Sequence, residues 1–377
     1  MAPSVASVAL ARAGIDDAPV VGAAASVLAV PPPPGVSATA VFVQDASTGT
    51  PLYGLAADEP RPPASLTKIA TAMVVLRHAG LRDVVTIETG DLADLSESQV
   101  GLIANDALTI RDLLFGLLVP SGNDAANALA RHVGASLPGG DADPVGAFVG
   151  EMNAIAAEVG LTNTQFLNAT GLHAEGHVAS ARDLALLAAA ALADPLFAEI
   201  VATPFAQLTS ARDPAQIYSV TNTNDLLLAG QVEGVKTGTT AEAGGCLITA
   251  SVVGSNQVIT VVLGSTTFLD ETGALKSTER FADVSTILAT LTDDYRWLDP
   301  TDPDVVAGLG DELAAWGATL PPGPAVVVPA DRVADLRYRL MLGPPVAAND
   351  PVGKVVFLVG TDRLSERPVY QAADGAS

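Results

Sequence analysis

The sequence predicts an α+β protein: an antiparallel sheet with helices on its faces, followed by a small β-rich C-terminal domain. Two observations carry that expectation. Strand-like runs near residues 38–55 and 232–263 flank a helical middle, and one sheet assembled from both ends of the unit buries both runs. From about Trp297 the texture changes to short apolar runs separated by Pro and Gly, the pattern of a separate β-rich unit. The 377 residues suffice for two domains. The expected division is a leader or linker over 1–35, a main domain over 36–294 and a small domain over 295–377.

The elements follow in order. Pro31 to Gly35 closes the leader with a Pro run, and Ala38 to Gln44 then reads as a strand rich in Val and Phe. Asp45 to Gly49 is a turn and Pro51 to Leu55 a return strand. Pro62 and Pro63 punctuate the chain, and Ser65 to Ala79 reads as a helix closed by Gly80. That helix is apolar nearly all round, through Ile69, Ala70, Ala72, Met73, Val74, Val75 and Leu76. Such a helix belongs inside a domain. Four further helices are expected over Thr109–Leu118, Ala125–Val133, Phe148–Val159 and Arg182–Ala193. The period then switches to strands at Val232–Thr239, Cys246–Val253 and Val258–Leu263, with a tight turn at Gly254-Ser255-Asn256. Phe281–Leu291 is helical again, and Ala325–Val328, Leu336–Leu340 and Lys354–Leu358 are short strands of the second domain.

Composition narrows the function classes. The net charge is −23, against a nucleic-acid partner, since phosphate binding needs basic patches. It also gives no support to electrostatic docking on anionic membranes. No apolar run reaches the ~18 residues of a membrane span. Val20 to Val30 is apolar, but Asp16 and Asp17 precede it where a secretory signal carries positive charge. The single Cys246 lies in an apolar run and reads as a small buried hydrophobe. The four His show no metal-ligand spacing, so neither metal nor cofactor is expected.

Lysine is scarce, at 68, 236, 276 and 354 only, and two of the four fall in chemically suggestive segments. The first segment is Ser65-Leu66-Thr67-Lys68. Ser and Lys three apart share a helix face, and free N–H groups at a helix start favour developing negative charge. The second is Ser121-Gly122-Asn123, whose hydroxyl and carboxamide sit between two helices. The third is Lys236-Thr237-Gly238-Thr239 on a strand, where a cation and hydroxyls suit a carboxylate and Gly admits a close-lying substrate. Taken singly, each also reads as ordinary structure: a helix start, a capped turn, an edge strand.

Together, their order and spacing resemble the serine penicillin-recognising enzymes, the DD-peptidases and class A β-lactamases. The flanking text is similar to D-alanyl-D-alanine carboxypeptidases: Pro63 to Ile69, Pro120 to Ala126, Phe166 to Leu172, Ser180 to Leu184, and Val235 to Thr240 followed by Ala243-Gly244-Gly245-Cys246. The resemblance covers about 38–290, and the tail is similar to that family's small β domain through Pro344-Pro345-Val346 and Asp350 to Lys354. Two departures stand out. The chain ends at Ala372 to Ser377 without an amphipathic helix, so the membrane-anchoring helix of many relatives is expected to be absent. Phe268 to Ser277 reads as an insertion, which loosens the match of Arg280 to the family's substrate-carboxylate arginine.

The resemblance implies a penicillin-binding fold and a serine DD-carboxypeptidase outside the cytoplasm, in the envelope or secreted. Its substrate would be the D-Ala-D-Ala end of a peptidoglycan stem peptide, and β-lactams would be covalent inhibitors. Ser65 would be the nucleophile, Lys68 the base, and backbone N–H groups of Ser65 and Thr239 the oxyanion hole. Ser121 would pass a proton to the leaving amine beside Asn123. Lys236, Thr237, Gly238, Thr239 and Arg280 would bind the substrate. The base is the difficulty: an unperturbed lysine is neutral in roughly one molecule in 2500 at pH 7. Burial of Lys68 and the nearby charge of Lys236 are both expected to disfavour its ammonium form. Two other readings stay open. One is a β-lactamase or esterase with the same nucleophile, although the Glu-x-x-Leu-Asn of class A β-lactamases is broken by Thr162 after Glu158 and Leu161. The other is a non-catalytic envelope scaffold binding partners through 297–377.

Overall fold

The computed structural model describes residues 30–343 and 350–372. Most of the expected leader, the Pro344-Pro345-Val346 segment and the last five residues lie outside them.

Both ends of the main unit meet in one five-stranded antiparallel sheet. Its order is β2 (Thr50–Leu55), β1 (Ala40–Asp45), Asn256–Ser265, Gly244–Val253 and Lys236–Thr240. Side chains alternate along each strand. Phe42, Ile248, Ile259 and Val261 join the core formed with the helical middle. Val41, Val43, Leu247 and Val262 face the other way, onto Phe281, Val284, Ile287 and Leu291 of the Glu279–Asp294 helix. Because both faces are covered, these strands are nearly continuously apolar.

The helical middle comprises α1 (Lys68–His78), α2 (Ile110–Leu118), α3 (Asn123–Gly134), α4 (Pro144–Val159) and α5 (Ala181–Leu192). Local chemistry sets their starts. The Thr109 hydroxyl accepts from the Asp112 N–H, and the Ser180 hydroxyl from the Asp183 N–H. α4 begins four residues earlier than expected, because Asp143 caps it and Pro144 opens it. The expected helix from Ser65 also differs: Ala64–Thr67 is a 3-10 turn, and the α-helix starts at Lys68. Likewise, the strand expected from Val232 begins only at Lys236.

The C-terminal residues have a core of their own around Leu309, Val328, Phe357 and Val369. A four-stranded sheet runs Ala318–Thr319, Asp362–Gln371, Gly353–Val359, Leu336–Leu342. The seam with the main unit is packed. Tyr295–Leu298 pairs with Val326–Pro329, and Tyr295 and Val327 bury in the second core of the main unit. The Asp45 carboxylate accepts from Trp297 Nε1 at 2.9 Å and Asn256 Nδ2 at 2.8 Å.

Candidate active site

The three sequence motifs converge on one cleft of about 1170 Å³, lined by Ser65, Ser121, Asn123, Thr237, Gly238, Thr239 and Arg280 among others. Ser65 stands on the 3-10 turn in front of α1. Two glycines hold that turn: a Cβ on Gly238 would lie 3.0 Å from the Ser65 nitrogen, and one on Gly171 would overlap the Ala64 carbonyl oxygen at 1.9 Å. Ala64 has φ +48° and Ser121 φ +66°. Non-glycine residues in that region cost about 1–3 kcal/mol each and persist only where surrounding packing imposes them. Both flank the same cleft.

Lys68 is fully buried. Its Nζ lies 2.9 Å from Ser65 Oγ, 2.7 Å from Asn123 Oδ1 and 2.7 Å from the Thr170 carbonyl oxygen. The set satisfies either protonation state: an ammonium donates to all three oxygens, and a neutral amine, with two N–H groups and one lone pair, donates to two and accepts from the hydroxyl. In the neutral state the Asn123 and Thr170 oxygens take the two protons, and the lone pair faces the Ser65 hydroxyl. Burial pulls the Lys68 pKa down to about 7, against the opposing charges of Glu97 and Asp124. The expected push from Lys236 is not among its causes. The effect falls on Lys236, which is held well below the usual lysine range by burial first, then by Lys68 and Arg280.

Thr237, Thr239 and Arg280 form the opposite wall. Arg280, at the start of the Glu279–Asp294 helix, donates through Nη1 to Thr239 Oγ1 at 2.5 Å and to the Gly238 carbonyl at 3.0 Å. The expected insertion does not displace it. Phe268 to Lys276 instead makes a small hairpin that extends this wall. The Thr237 and Thr223 hydroxyls are 2.5 Å apart. Lys236 is placed differently from the expectation: it is buried behind the wall, donating to the Thr237 carbonyl at 3.1 Å, while the wall itself is formed by its neighbours.

Three contributors escaped the sequence reading. Thr170 acts through its backbone carbonyl. His177 accepts the Leu167 N–H at Nδ1, so its Nε2–H donates to Thr67 Oγ1 at 2.8 Å and braces the turn between Ser65 and Lys68. Burial depresses its pKa to about 4, keeping the ring neutral. Glu97 reaches the cleft from a Ser-rich loop and accepts from Asn123 Nδ2 at 2.7 Å. Cys246 is a buried thiol within the sheet, as expected. Among the described residues no cluster of metal-ligating side chains occurs, and no single helix is long and apolar enough to cross a membrane.

The model of the D-alanyl-D-alanine carboxypeptidase family matches residues 27–267. This chain belongs to that family. The carboxypeptidase is 37% identical over 243 residues to the D-alanyl-D-alanine carboxypeptidase of Streptomyces sp. strain K15, covering 62% of this chain and 82% of that one. It is 33% identical to carboxypeptidase DacC of Escherichia coli K12 over 359 residues, 89% of this chain and 84% of that one, so the likeness extends into the C-terminal unit. The crystal structure of the Streptomyces K15 DD-transpeptidase superposes with a TM-score of 0.61 at 35% identity, covering 68% of this carboxypeptidase and 97% of that chain. The carboxypeptidase is thus a serine-type hydrolase of D-Ala-D-Ala ends with the α+β penicillin-binding fold.

Proposed function

We propose that Ser65 is the nucleophile and Lys68 the base through which this enzyme removes terminal D-Ala from peptidoglycan stem peptides. One observation carries the assignment: Lys68 Nζ is buried and 2.9 Å from Ser65 Oγ, and the Asn123 and Thr170 oxygens beside it can hold both protons of its neutral form. In this reading Ser65 Oγ attacks the penultimate carbonyl as its proton passes to Lys68. The tetrahedral oxyanion meets the Ser65 and Thr239 N–H groups. Ser121 returns the proton to the departing D-Ala amine, leaving an ester on Ser65 that water hydrolyses. Thr237, Thr239 and Arg280 hold the terminal carboxylate, with Lys236 adding positive charge from behind. Gly238 lets the peptide pair with the Lys236–Thr240 strand as an added strand. Residues 36–294 carry this chemistry, and 295–377 are an appended unit. The enzyme works outside the cytoplasmic membrane, where stem peptides lie, and β-lactams acylate it.

The test is intact-protein mass spectrometry after exposure to a penicillin. One adduct is expected, mapping to Ser65 and lost in Ser65→Ala. An adduct that survives in Ser65→Ala refutes the nucleophile assignment.

A further inference from the structure

We propose that Glu97 is a positioning residue for acylation: its carboxylate selects the orientation of the Asn123 carboxamide and thereby keeps the lone pair of Lys68 aimed at Ser65. The proposal rests on the reading of Lys68 as the base.

A carboxamide has two ends of nearly equal shape and opposite hydrogen-bond character. With the oxygen toward Lys68, Asn123 takes one of its protons, as observed at 2.7 Å. With the amide flipped, the NH2 would compete for the lone pair that Ser65 needs. The Lys68 side alone tolerates both, since an amine can donate or accept. Glu97 breaks the tie. A carboxylate only accepts, so the NH2 end, 2.7 Å away, is the end that suits it. The resulting chain runs Glu97, Asn123, Lys68, Ser65.

The loop that carries Glu97 is built onto the start of α3. The Asn123 N–H donates to the Ser98 carbonyl at 2.8 Å. The Asp124 carboxylate accepts from the N–H groups of Val100, Gly101 and Leu102 at 3.0, 2.9 and 3.0 Å. The stretch just after Glu97 is therefore tied to Asn123, which bears the carboxamide, and to its neighbour Asp124. The charged groups around Lys68 are Glu97 from this loop, Asp124 from α3 and Lys236 from the Lys236–Thr240 strand. Asp124 is spent on the loop backbone, which leaves Glu97 as the charge free to act through Asn123. That charge also favours the Lys68 ammonium, opposing burial.

The test compares Glu97→Gln and Glu97→Asp with wild type in acylation by a fluorescent penicillin across pH, with Lys68→Arg as reference. Gln keeps the size, loses the charge and offers either end to Asn123. Its plateau rate should fall about tenfold, from the difference between a charge-assisted and a neutral hydrogen bond. Its acidic midpoint should move to lower pH, because an anion that stabilised the ammonium is gone. Glu97→Asp should keep the wild-type midpoint. A wild-type plateau and midpoint in Glu97→Gln overturn the proposal. A lower plateau with an unmoved midpoint also overturns it, since a merely structural role does that. If Lys68→Arg itself acylates normally, the base assignment has failed instead.

Discussion

Replacing Lys68 by Arg keeps a cation on α1 and removes the one buried amine beside Ser65. The structure sets the size of the loss. The Lys68 pKa lies at about 7 rather than 10.5, so about half of the molecules carry the neutral amine at pH 7. At the ordinary value, roughly one in 3000 would. A guanidinium stays protonated throughout this range, so acylation of Lys68→Arg should fall by at least about 10³. With Lys68 as the proposed base, the neutral form of the wild type is the active one. The rate should rise tenfold per pH unit below about 7 and level above it. Stopped-flow acylation by a fluorescent penicillin between pH 5.5 and 8.5 reads both. Burial has a second signature. The folded value is lowered, so the unfolded chain binds the proton more readily, and wild-type stability gains as pH rises from about 7 toward 10.5. The melting-temperature gap between Lys68→Met and wild type should shift in favour of wild type over that range. A flat rate profile, or Lys68→Arg within tenfold of wild type while circular dichroism is unchanged, would refute the base assignment.

Other consequences follow from the wall and the seam. Arg280→Gln should cut D-Ala release from a Lys-D-Ala-D-Ala peptide about 10- to 100-fold, the worth of a charge-assisted contact, mostly through KM; an unchanged kcat/KM would exclude it from the carboxylate site. A chain ending at Leu298 keeps Tyr295 and Trp297 but loses Val327 from the second core, so its melting temperature should drop by several degrees. Its acylation rate should stay within about twofold, and a folded truncation that cannot be acylated would show that 299–377 contribute to the site. D-Ala release should coexist with slow β-lactam turnover in one preparation, because the adduct blocks water where a departing D-Ala leaves room. Rapid cephalosporin hydrolysis without D-Ala release would favour the lactamase reading.

What could be read in advance depended on how far each signal was local. The sheet strands announced themselves because both faces are buried, leaving Val, Ile and Leu in continuous runs. The final strand, Asp362–Gln371, did not. Its exposed face carries Arg363, Glu366 and Pro368, and the buried Leu364 and Val369 are separated by Ser365, Glu366, Arg367 and Pro368, so no apolar run forms. The hairpin at Phe205–Thr209 and Ile217–Thr221 is half exposed and equally quiet. In the site, the residues named from their motifs lie in and behind one cleft, because side chains of distinctive type can be picked out wherever the chain carries them. Thr170 was silent because a backbone carbonyl is common to every residue. Glu97 was silent because it meets Asn123 across 26 positions from a loop without periodicity. Asp143 before Pro144 was a readable cap that the apolar count from Phe148 passed over.

The spacing of Ser65 and Lys68 is the weaker half of what makes them a pair. Any helix start places a Ser and a Lys three residues on along one side. On a surface helix that lysine would keep its ordinary affinity for a proton and serve only as a counter-charge. What differs here is α1 itself, whose Ile69, Ala70, Ala72, Val74 and Val75 are all wholly buried. The apolar run that reads first as a core helix is also what strips water from Lys68. Desolvation then lowers its pKa, and the neighbouring carboxylates check the fall. The other requirement is that the neutral amine be satisfied, since an unpaired buried N–H costs about 1–3 kcal/mol. Asn123 and Thr170 supply two acceptors from two different segments, and the third neighbour, the Ser65 hydroxyl, can donate as well as accept and so can meet the lone pair. Core packing therefore acts on the reaction directly. A polar residue at Ala72 or Val75 that admitted water would raise the Lys68 pKa and slow acylation at neutral pH, without touching any atom of the substrate.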